Sequence, residues 1–594
     1  MYTPTFYTNV GFANLNGVKR QLAELGDFMA DENIDIMFIN ETHLRPCDKA
    51  RLPNYNLVRK DRLHNRGGGT AIYSKKSFKC TEYILPQLNS IEACAVVLED
   101  ENFGEVLMIS AYNPPNSKLL SSELAALMNS GLPTILAGDL NSKSTHWGCR
   151  ATNPNGKILQ NFILDEGVIL AAPDEPTHFP GNLAQRPDIL DIMLLKGIPH
   201  IPKLKVHSAL SSDHSPISFT FYGLTKPPEL AKYKTNWDTF HTISGQNITI
   251  NPNMSTTQQI DEAIETLTQK IKRDIDSSSS PIRTNIEVKL PHNIKQKIKE
   301  KNRLRKVYKN TRHPQAKTNW NISCREVSTL IKEYKQSQWE ETVMRLSTQD
   351  NTVWKMAKAL KSKPNMIGPL QGPTSLVYTE KDMAVVLAGS LHNQFSPHAT
   401  PINLELVDRV NSEVDNYLAI EPSANITHTT PKEVQDIIKT LNPKKAAGYD
   451  LISNMAIKNI SNKIIVNITN IYNACFRLNY FPHNWKKAIV ILFKKPGKSP
   501  QQPSNYRPIS LLPCLAKLFE KVINIRLQTF LNENNIIHTN QYGFKKGHST
   551  VHQVNRIVEI IGEAFNNRES IGTVFLDVRR LLAAYGTMDS YTNS

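Results

Sequence analysis

PTILAGDLN, at residues 133–141, passes from an apolar run into Gly138, Asp139 and Asn141. A short run of that kind, ending in polar residues, reads as a strand that delivers side chains to a loop. The same form recurs upstream in IDIMFINE (34–41), TAIYSKK (70–76), ACAVVLED (93–100) and VLMISAYN (106–113). Helical stretches alternate with these runs. Residues 1–222 therefore read as an α/β domain whose chemistry sits on the loops that follow its strands.

The polar residues at those strand ends suggest metal chemistry. Asn14 and Asn16 lie in NLNG, and Glu41 ends DIMFINE. Asp139 and Asn141 form GDLN, Asp188 and Asp191 form PDILD, and Asp213–His214 stand in SSDHSPI. Hydrolysis of a phosphodiester needs charge neutralised on the phosphate oxygens and a water activated for in-line attack. Carboxylates that hold Mg2+ do the first, and a histidine steered by an aspartate can do the second. Each signal is weak alone. A single G-D-L-N is more often a turn, a strand-end aspartate is usually a cap, and a lone histidine is usually structural. The ordered set is much more specific.

Taken in order over residues 5–222, the strings N-x-N-G, I-N-E-T-H, A-Y-N-P-P, G-D-L-N-S-K-S-x-x-W-G, P-D-I-L-D and S-D-H-S-P-I resemble the endonuclease/exonuclease/phosphatase fold. More closely, they resemble the apurinic-type endonuclease of non-LTR retrotransposons. The resemblance implies a four-layer α/β sandwich. It also implies that Asn14 and Glu41 help hold the metal and that Tyr112 hydrogen-bonds the scissile phosphate. By the same resemblance, Asp139 orients or deprotonates the attacking water, Asn141 contacts the phosphate, and Asp191 is the aspartate of the family's later motif. His214, supported by Asp213, is expected to stabilise charge on the phosphate or to serve in acid–base work. Thr177, in PTHFP, is expected as a supporting hydrogen-bond donor to the nucleic acid. Spacing does not separate the roles of Asp139 and His214. Ala13 departs from the family pattern, which has an aromatic just before N-x-N-G.

Composition changes after residue 223. TKPPEL marks a boundary and SSSSP (277–281) a flexible joint. Residues 289–309, KLPHNIKQKIKEKNRLRKVYK, carry nine Lys or Arg against one acid, Glu300. A charged helical stretch with Trp320, Trp339 and Trp354 follows. Residues 223–429 thus read as a helical basic linker. It is either an ordinary solvated connection or a phosphate-contacting arm.

From about residue 430 the pattern tightens again. PKKAAGYD (443–450), FPHNWKKAIVILFKKPGKSP (481–500), NYRPISLLPCLAKLFEKVINIRL (505–527), QYGFKKGHST (541–550) and TVFLDV (573–578) resemble a reverse transcriptase of the same element class. The linker segment TNWDTF (235–240) looks like that of jockey-type elements. Residues 430–594 are therefore expected to form partial fingers and palm. A template–primer groove needs cations on phosphates, which makes Lys494, Lys495 and Arg507 the candidates. The alternative for Lys494 and Lys495 is a solvated strand end. The resemblance makes Asp577 the first metal-binding aspartate of the palm. The family's second carboxylate cluster is an aromatic-x-D-D hairpin, and no D-D pair occurs in the sequence. Residues 579–594 also depart from the family's continuation, in a way that one restored adenine between Arg579 and Arg580 largely recovers. A frameshifted, truncated polymerase without polymerase activity is the resulting expectation.

The formal net charge of +16 and pI of about 9.3 favour polyanionic partners. Seven cysteines without a C-x-x-C pair point to a reducing compartment rather than a disulfide framework or thiolate zinc. No apolar run approaches the ~20 residues of a membrane span, and no secretory pattern opens the chain. The expected cofactor is Mg2+, with Mn2+ possible. The expected partners are target DNA and element RNA, with no membrane, and dNTP only in an intact homologue. The nucleus is the place where such targets lie. Rival expectations are a repair nuclease or phosphoinositide phosphatase of the same fold, and a decayed product that binds nucleic acid without catalysis.

Overall fold

The structure, a computed structural model, describes residues 5–62, 67–182, 184–227, 232–246, 250–282, 290–348, 351–361, 368–396, 404–420 and 427–575. Asp577 lies outside them. Two compact units emerge from the backbone. The first gathers Met1–Leu230, Thr284–Ala388 and Ser499–Pro503, and the second Ala231–Arg283, Gly389–Lys498 and Ser504–Ser594.

In the first unit the strands are β1 (Thr5–Asn14), β2 (Ile36–Asn40), β3 (Tyr55–Lys60), β4 (Thr70–Lys75), β5 (Cys80–Tyr83), β6 (Glu92–Asp100), β7 (Gly104–Tyr112), β8 (Thr134–Asp139), β9 (Ile169–Ala171), β10 (Asp191–Lys196), β11 (Lys205–Val206) and β12 (Ile217–Lys226). They form two six-stranded sheets, ordered β11-β12-β1-β2-β4-β3 and β5-β6-β7-β8-β10-β9. Helix α1 (Val18–Asp31) follows β1, while α2 (Ser121–Met128) and α3 (Pro154–Glu166) flank β8 in sequence.

Alternation with period two explains the layering. Val10 and Phe12, Ile36 and Phe38, Val106 and Met108, Ile135 and Ala137, and Met193 and Leu195 meet in the core between the sheets. Their neighbours Met37 and Ile39 pack with Leu25 and Met29 of α1. On the other side Leu107, Ile109, Leu136 and Leu194 pack with Leu124 and Leu127 of α2 and Leu159 and Phe162 of α3. Helix, sheet, sheet and helices make the four layers expected. Local signals fix the helices: Asn153 caps α3 by accepting from the Gly156 N–H, Pro154 opens it, and Gly167 closes it with φ 62°.

Helices α4 (Trp237–Ser244) and α5 (Thr257–Ser277) belong to the second unit, whereas α6 (His292–Thr311) and α7 (Pro314–Met344) belong to the first. Ile294 and Ile298 of α6 and Val327 and Ile331 of α7 bury against Ala23 of α1. Helices α8 (Thr352–Lys361), α9 (Glu380–Phe395) and α10 (Leu404–Leu418) bury few side chains.

The second unit is mainly helical: α11 (Pro431–Thr440), α12 (Asn454–Lys458), α13 (Asn462–Arg477) and α14 (Cys514–Glu533) pack with α4 and α5 around Phe240, Ile264, Tyr472, Trp485 and Phe519, and α15 (Thr550–Asn567) follows. Gly448, the turn glycine of PKKAAGYD, lets the chain pass so close that a Cβ there would lie 2.5 Å from the Pro513 nitrogen. Three small strand pairs complete the described structure: β13 (Lys232–Thr235) with β14 (Ser279–Ile282), β15 (Leu370–Gln371) with β16 (Leu376–Val377), and β17 (Ile489–Lys494) with β18 (Tyr506–Leu511).

Candidate active site

The apolar stripes that face each other between the two sheets end in polar residues at one rim. Along β1 the stripe Val10, Phe12 continues to Asn14. Along β2 the stripe Ile36, Phe38 continues to Asn40. The corresponding ends are Tyr112 on β7, Asp139 on β8 and Asp191 on β10. Strand register sets them side by side. Asn14 is opposite Asn40, Tyr112 opposite Asp139, and Asp139 opposite Asp191. The alternation that builds the core therefore also assembles the site.

Hydrogen bonds knit the rim together. Asn14 Nδ2 donates to Glu41 Oε1 at 2.9 Å and to Asp139 Oδ2 at 3.1 Å. Glu41, in the left-handed region at φ 50°, turns back from the end of β2, and its Oε2 lies 3.3 Å from His43 Nε2. Asn40 bridges the sheets. Its Nδ2 donates to the Ala111 carbonyl at 3.0 Å, and its Oδ1 accepts from the Asp139 N–H at 3.0 Å. Gly138 makes that approach possible, because a Cβ there would sit 2.0 Å from the Ala111 oxygen.

His214 is buried with its Nδ1 2.8 Å from Asp191 Oδ2 and its Nε2 3.7 Å from Asp139 Oδ2. Burial disfavours its charge, yet Asp191 foremost, with Asp139 and Asp213, pushes its pKa up to about 10. The imidazolium therefore persists at neutral pH. Burial lifts Asp139 in the opposite sense to its usual ionised state, up to about 7. The His214 cation opposes that rise and the Asp191 charge reinforces it. Burial, and then the adjacent Glu41 carboxylate, hold the Tyr112 hydroxyl well above the usual phenol range, so it remains a proton donor.

Asp213, expected behind His214, faces His178 instead, with 3.7 Å between Oδ2 and Nε2. Asp213 lies in a bend just before His214, which forms an isolated bridge with His178. Asp213 acts on His214 through charge alone. Burial raises its own pKa, but the His178 hydrogen bond and the His214 charge more than offset this and hold it below the usual carboxylate range.

Thr177 also differs from expectation. It is fully buried, and its hydroxyl accepts from the N–H groups of Leu190 and Asp191 at 3.2 and 3.3 Å, which fixes the start of β10 rather than meeting solvent. Asn141 sits at the rim at φ 48°, with its N–H donated to Asp139 Oδ1 at 2.9 Å and its Nδ2 to the Asn113 carbonyl at 2.8 Å. Ala13 is buried on the α1 side of the sheet, away from the rim. Sequence reasoning missed Asn40 and His178. Both stood beside residues that it singled out, and only the strand register reveals their contacts.

The donor set suits a hard divalent cation. Glu41, Asp139 and Asp191 bring oxygens to one rim, and Asp191 Oδ1 is buried without a hydrogen-bond partner among the described residues. The trio His178, Asp213 and His214 also groups ligand-type atoms within 4.8 Å. Both His214 ring nitrogens already face carboxylates, so this trio reads as a charge network.

In the second unit Lys494 and Arg507 are exposed on β17 and β18, where Phe493 pairs with Arg507. Lys495 turns inward to its own hairpin, with Nζ donating to the Ser504 carbonyl at 2.8 Å.

Residues 106–218 match the family described as endonuclease-reverse transcriptase, and residues 493–581 match that described as reverse transcriptase (RNA-dependent DNA polymerase). Over 581 residues, 95% of the chain, it is 29% identical to the probable RNA-directed DNA polymerase from transposon X-element of Drosophila melanogaster. Over 604 residues, 98% of the chain, it is 29% identical to the RNA-directed DNA polymerase from mobile element jockey of the same species. The chain spans 64% of the length of each. Among solved structures, the endonuclease domain of TRAS1, a telomere-specific non-LTR retrotransposon, aligns with 36% of this chain and 97% of its own, at 21% identity and a TM-score of 0.32.

Proposed function

We infer, from a chain that is a homologue of the RNA-directed DNA polymerases of jockey- and X-element-like non-LTR retrotransposons, that its first unit is a DNA endonuclease using Mg2+. The observation that carries this reading is the convergence of Asp139, Asp191 and His214 at the rim, with the Asp191–His214 contact at 2.8 Å.

Glu41 and Asn14 would hold the metal, which when bound supplies neutralisation of phosphate charge; Mn2+ meets the same donors. This reading gives Asp139 and His214 different roles. His214, fixed as a cation by Asp191, stabilises negative charge on the phosphate. Asp139, with a pKa near neutrality, accepts a proton from the attacking water. The water oxygen bonds to phosphorus and the P–O3′ bond breaks, leaving a 5′-phosphate, and the departing O3′ takes a proton from solvent water to become the 3′-hydroxyl. Tyr112 donates a hydrogen bond to a phosphate oxygen. Asp213 extends the charged rim, with His178 beside it.

The second unit, by this reading, contacts nucleic acid through Lys494 and Arg507. Target DNA and element RNA are the partners, the nucleus is the place of action, and the new 3′-hydroxyl primes copying in the intact system. The test is nicking of supercoiled plasmid by the full chain with Mg2+ or EDTA, beside Asp139→Ala and His214→Ala. Nicking that needs Mg2+ and both side chains supports the reading. DNA binding without nicking by the folded wild-type chain would replace it with a nucleic-acid-binding product that lacks catalysis.

A further inference from the structure

Helix α6 presents Lys301, Arg305 and Lys309 on one stripe, four residues apart, to the segment that carries His214. Lys301 and Arg305 are fully buried despite their charge. Lys301 pairs with Glu24 of α1 and donates to Ser211 Oγ at 3.1 Å. Arg305 Nη1 donates to the carbonyls of Ala209 and Leu210, the latter at 2.7 Å, and Nη2 donates to those of Ser212 and His214, each at 2.7 Å. Lys309 Nζ donates to Ser215 Oγ at 2.6 Å. The stripe is itself held from behind, where Trp320 of α7 stacks on Tyr308 and lies against the Arg305 guanidinium.

Four carbonyls converging on one guanidinium is a geometry that a lysine cannot reproduce, because only the planar fork offers donors in several fixed directions. The segment needs such a clamp. Leu210 is held at φ 65°, a conformation disfavoured for a leucine, and inward-facing carbonyls need donors. The His214 backbone is thus set from one side by Arg305, while its ring is set from the other by Asp191.

We propose that Arg305 is a positioning residue of the nuclease: helix α6 is a working part of the active site, and its guanidinium fixes the 209–214 backbone so that the His214 ring meets the phosphate. The proposal rests on the nuclease reading above. A small displacement of a reacting group can cost on the order of 100-fold in rate.

The experiment is steady-state nicking by the full chain, wild type beside Arg305→Ala, Arg305→Lys and Arg303→Ala, with thermal unfolding followed on each. Arg303 lies on the exposed face of α6 with Glu300 and is the control that should nick like wild type. The expected result for Arg305→Ala is a kcat lower by about 100-fold with KM within threefold, partly restored by free guanidinium ion but not by methylammonium. Arg305→Lys should keep the fold and still lose most of kcat, and it carries the test if the alanine chain does not fold. Wild-type kcat in either folded Arg305 variant overturns the proposal, as does loss in Arg305→Ala that guanidinium leaves untouched. Absence of nicking by the wild-type chain overturns the nuclease reading instead.

Discussion

Replacing Asp191 by asparagine tests the central contact of the site with almost no change of shape. The carboxylate lies 2.8 Å from His214 Nδ1, and both groups are buried, so water cannot substitute for the lost charge. A hydrogen bond to a charged group is worth about 1.5–3 kcal/mol, the larger values belonging to buried partners. At 1.36 kcal/mol per decade of rate, that range converts to a kcat lower by roughly 10- to 150-fold, provided the contact acts in the transition state. The pH profile should move as well. In the wild-type protein the His214 cation persists until about pH 10, so rising pH above neutrality leaves it charged. Without the Asp191 charge its pKa falls, although Asp139 and Asp213 still hold it up. Nicking by Asp191→Asn should then decline at a lower pH than in the wild type. The assay is initial-rate plasmid nicking across neutral and alkaline pH at saturating Mg2+. A variant with kcat within threefold of wild type and an unmoved alkaline limb would refute the assignment of His214 as a fixed cation.

Nicking should fall as pH drops through about 7, because Asp139 takes up a proton there and can no longer accept one from the attacking water; initial-rate nicking across acidic and neutral pH would show that limb, and a flat profile would remove Asp139 as the base. The same shift has a stability sign: a carboxyl raised in the folded state costs stability once pH exceeds its unfolded value, so the metal-free Asp139→Asn chain should unfold at higher temperature than wild type at pH 8 but not at pH 4. Gly138→Ala should cost at least about 1–3 kcal/mol of stability, since its Cβ would lie 2.0 Å from the Ala111 carbonyl and separate β7 from β8; an unchanged melting temperature would contradict that packing. Lys494→Ala with Arg507→Ala should weaken RNA binding and lower the slope of log K against log salt by about 1–2, whereas an unchanged slope would remove both from the phosphate path.

The strand ends were legible because one rule, alternation with period two, governs both the core and the rim. A run such as VLMISAYN announces its apolar stripe and its terminal Tyr112 together. The pairing of His214 was not legible in this way. Asp213 is its neighbour in the chain, but Asp191 reaches it only because β10 lies antiparallel to β8 and the 177–178 segment bridges to 214. Thr177 misled for a related reason, since its backbone-bonding role depends on the start of a strand that folds back beside it. The basic segment 289–309 offered only a solvated connection or a phosphate arm. Charge counting cannot tell a cation facing water from one facing carbonyls more than 90 residues away, as Arg305 does.

The pairing of β1 with β12 also imposes a schedule on the ribosome. Thr8 bonds the carbonyl of Leu224, 216 residues later, so the first strand emerges long before its partner exists. At roughly 5–20 residues per second, that wait lasts about 10–40 s, and the segment around His214 waits roughly a further 5–20 s for Arg305. Asn14, made at the end of β1, waits through this interval for the rest of the rim to form around it. On the nuclease reading, with Arg305 positioning His214, synthesis would delay competence until helix α6 has cleared the exit tunnel, and the half-made sheet would be a natural client for chaperones that protect exposed strands.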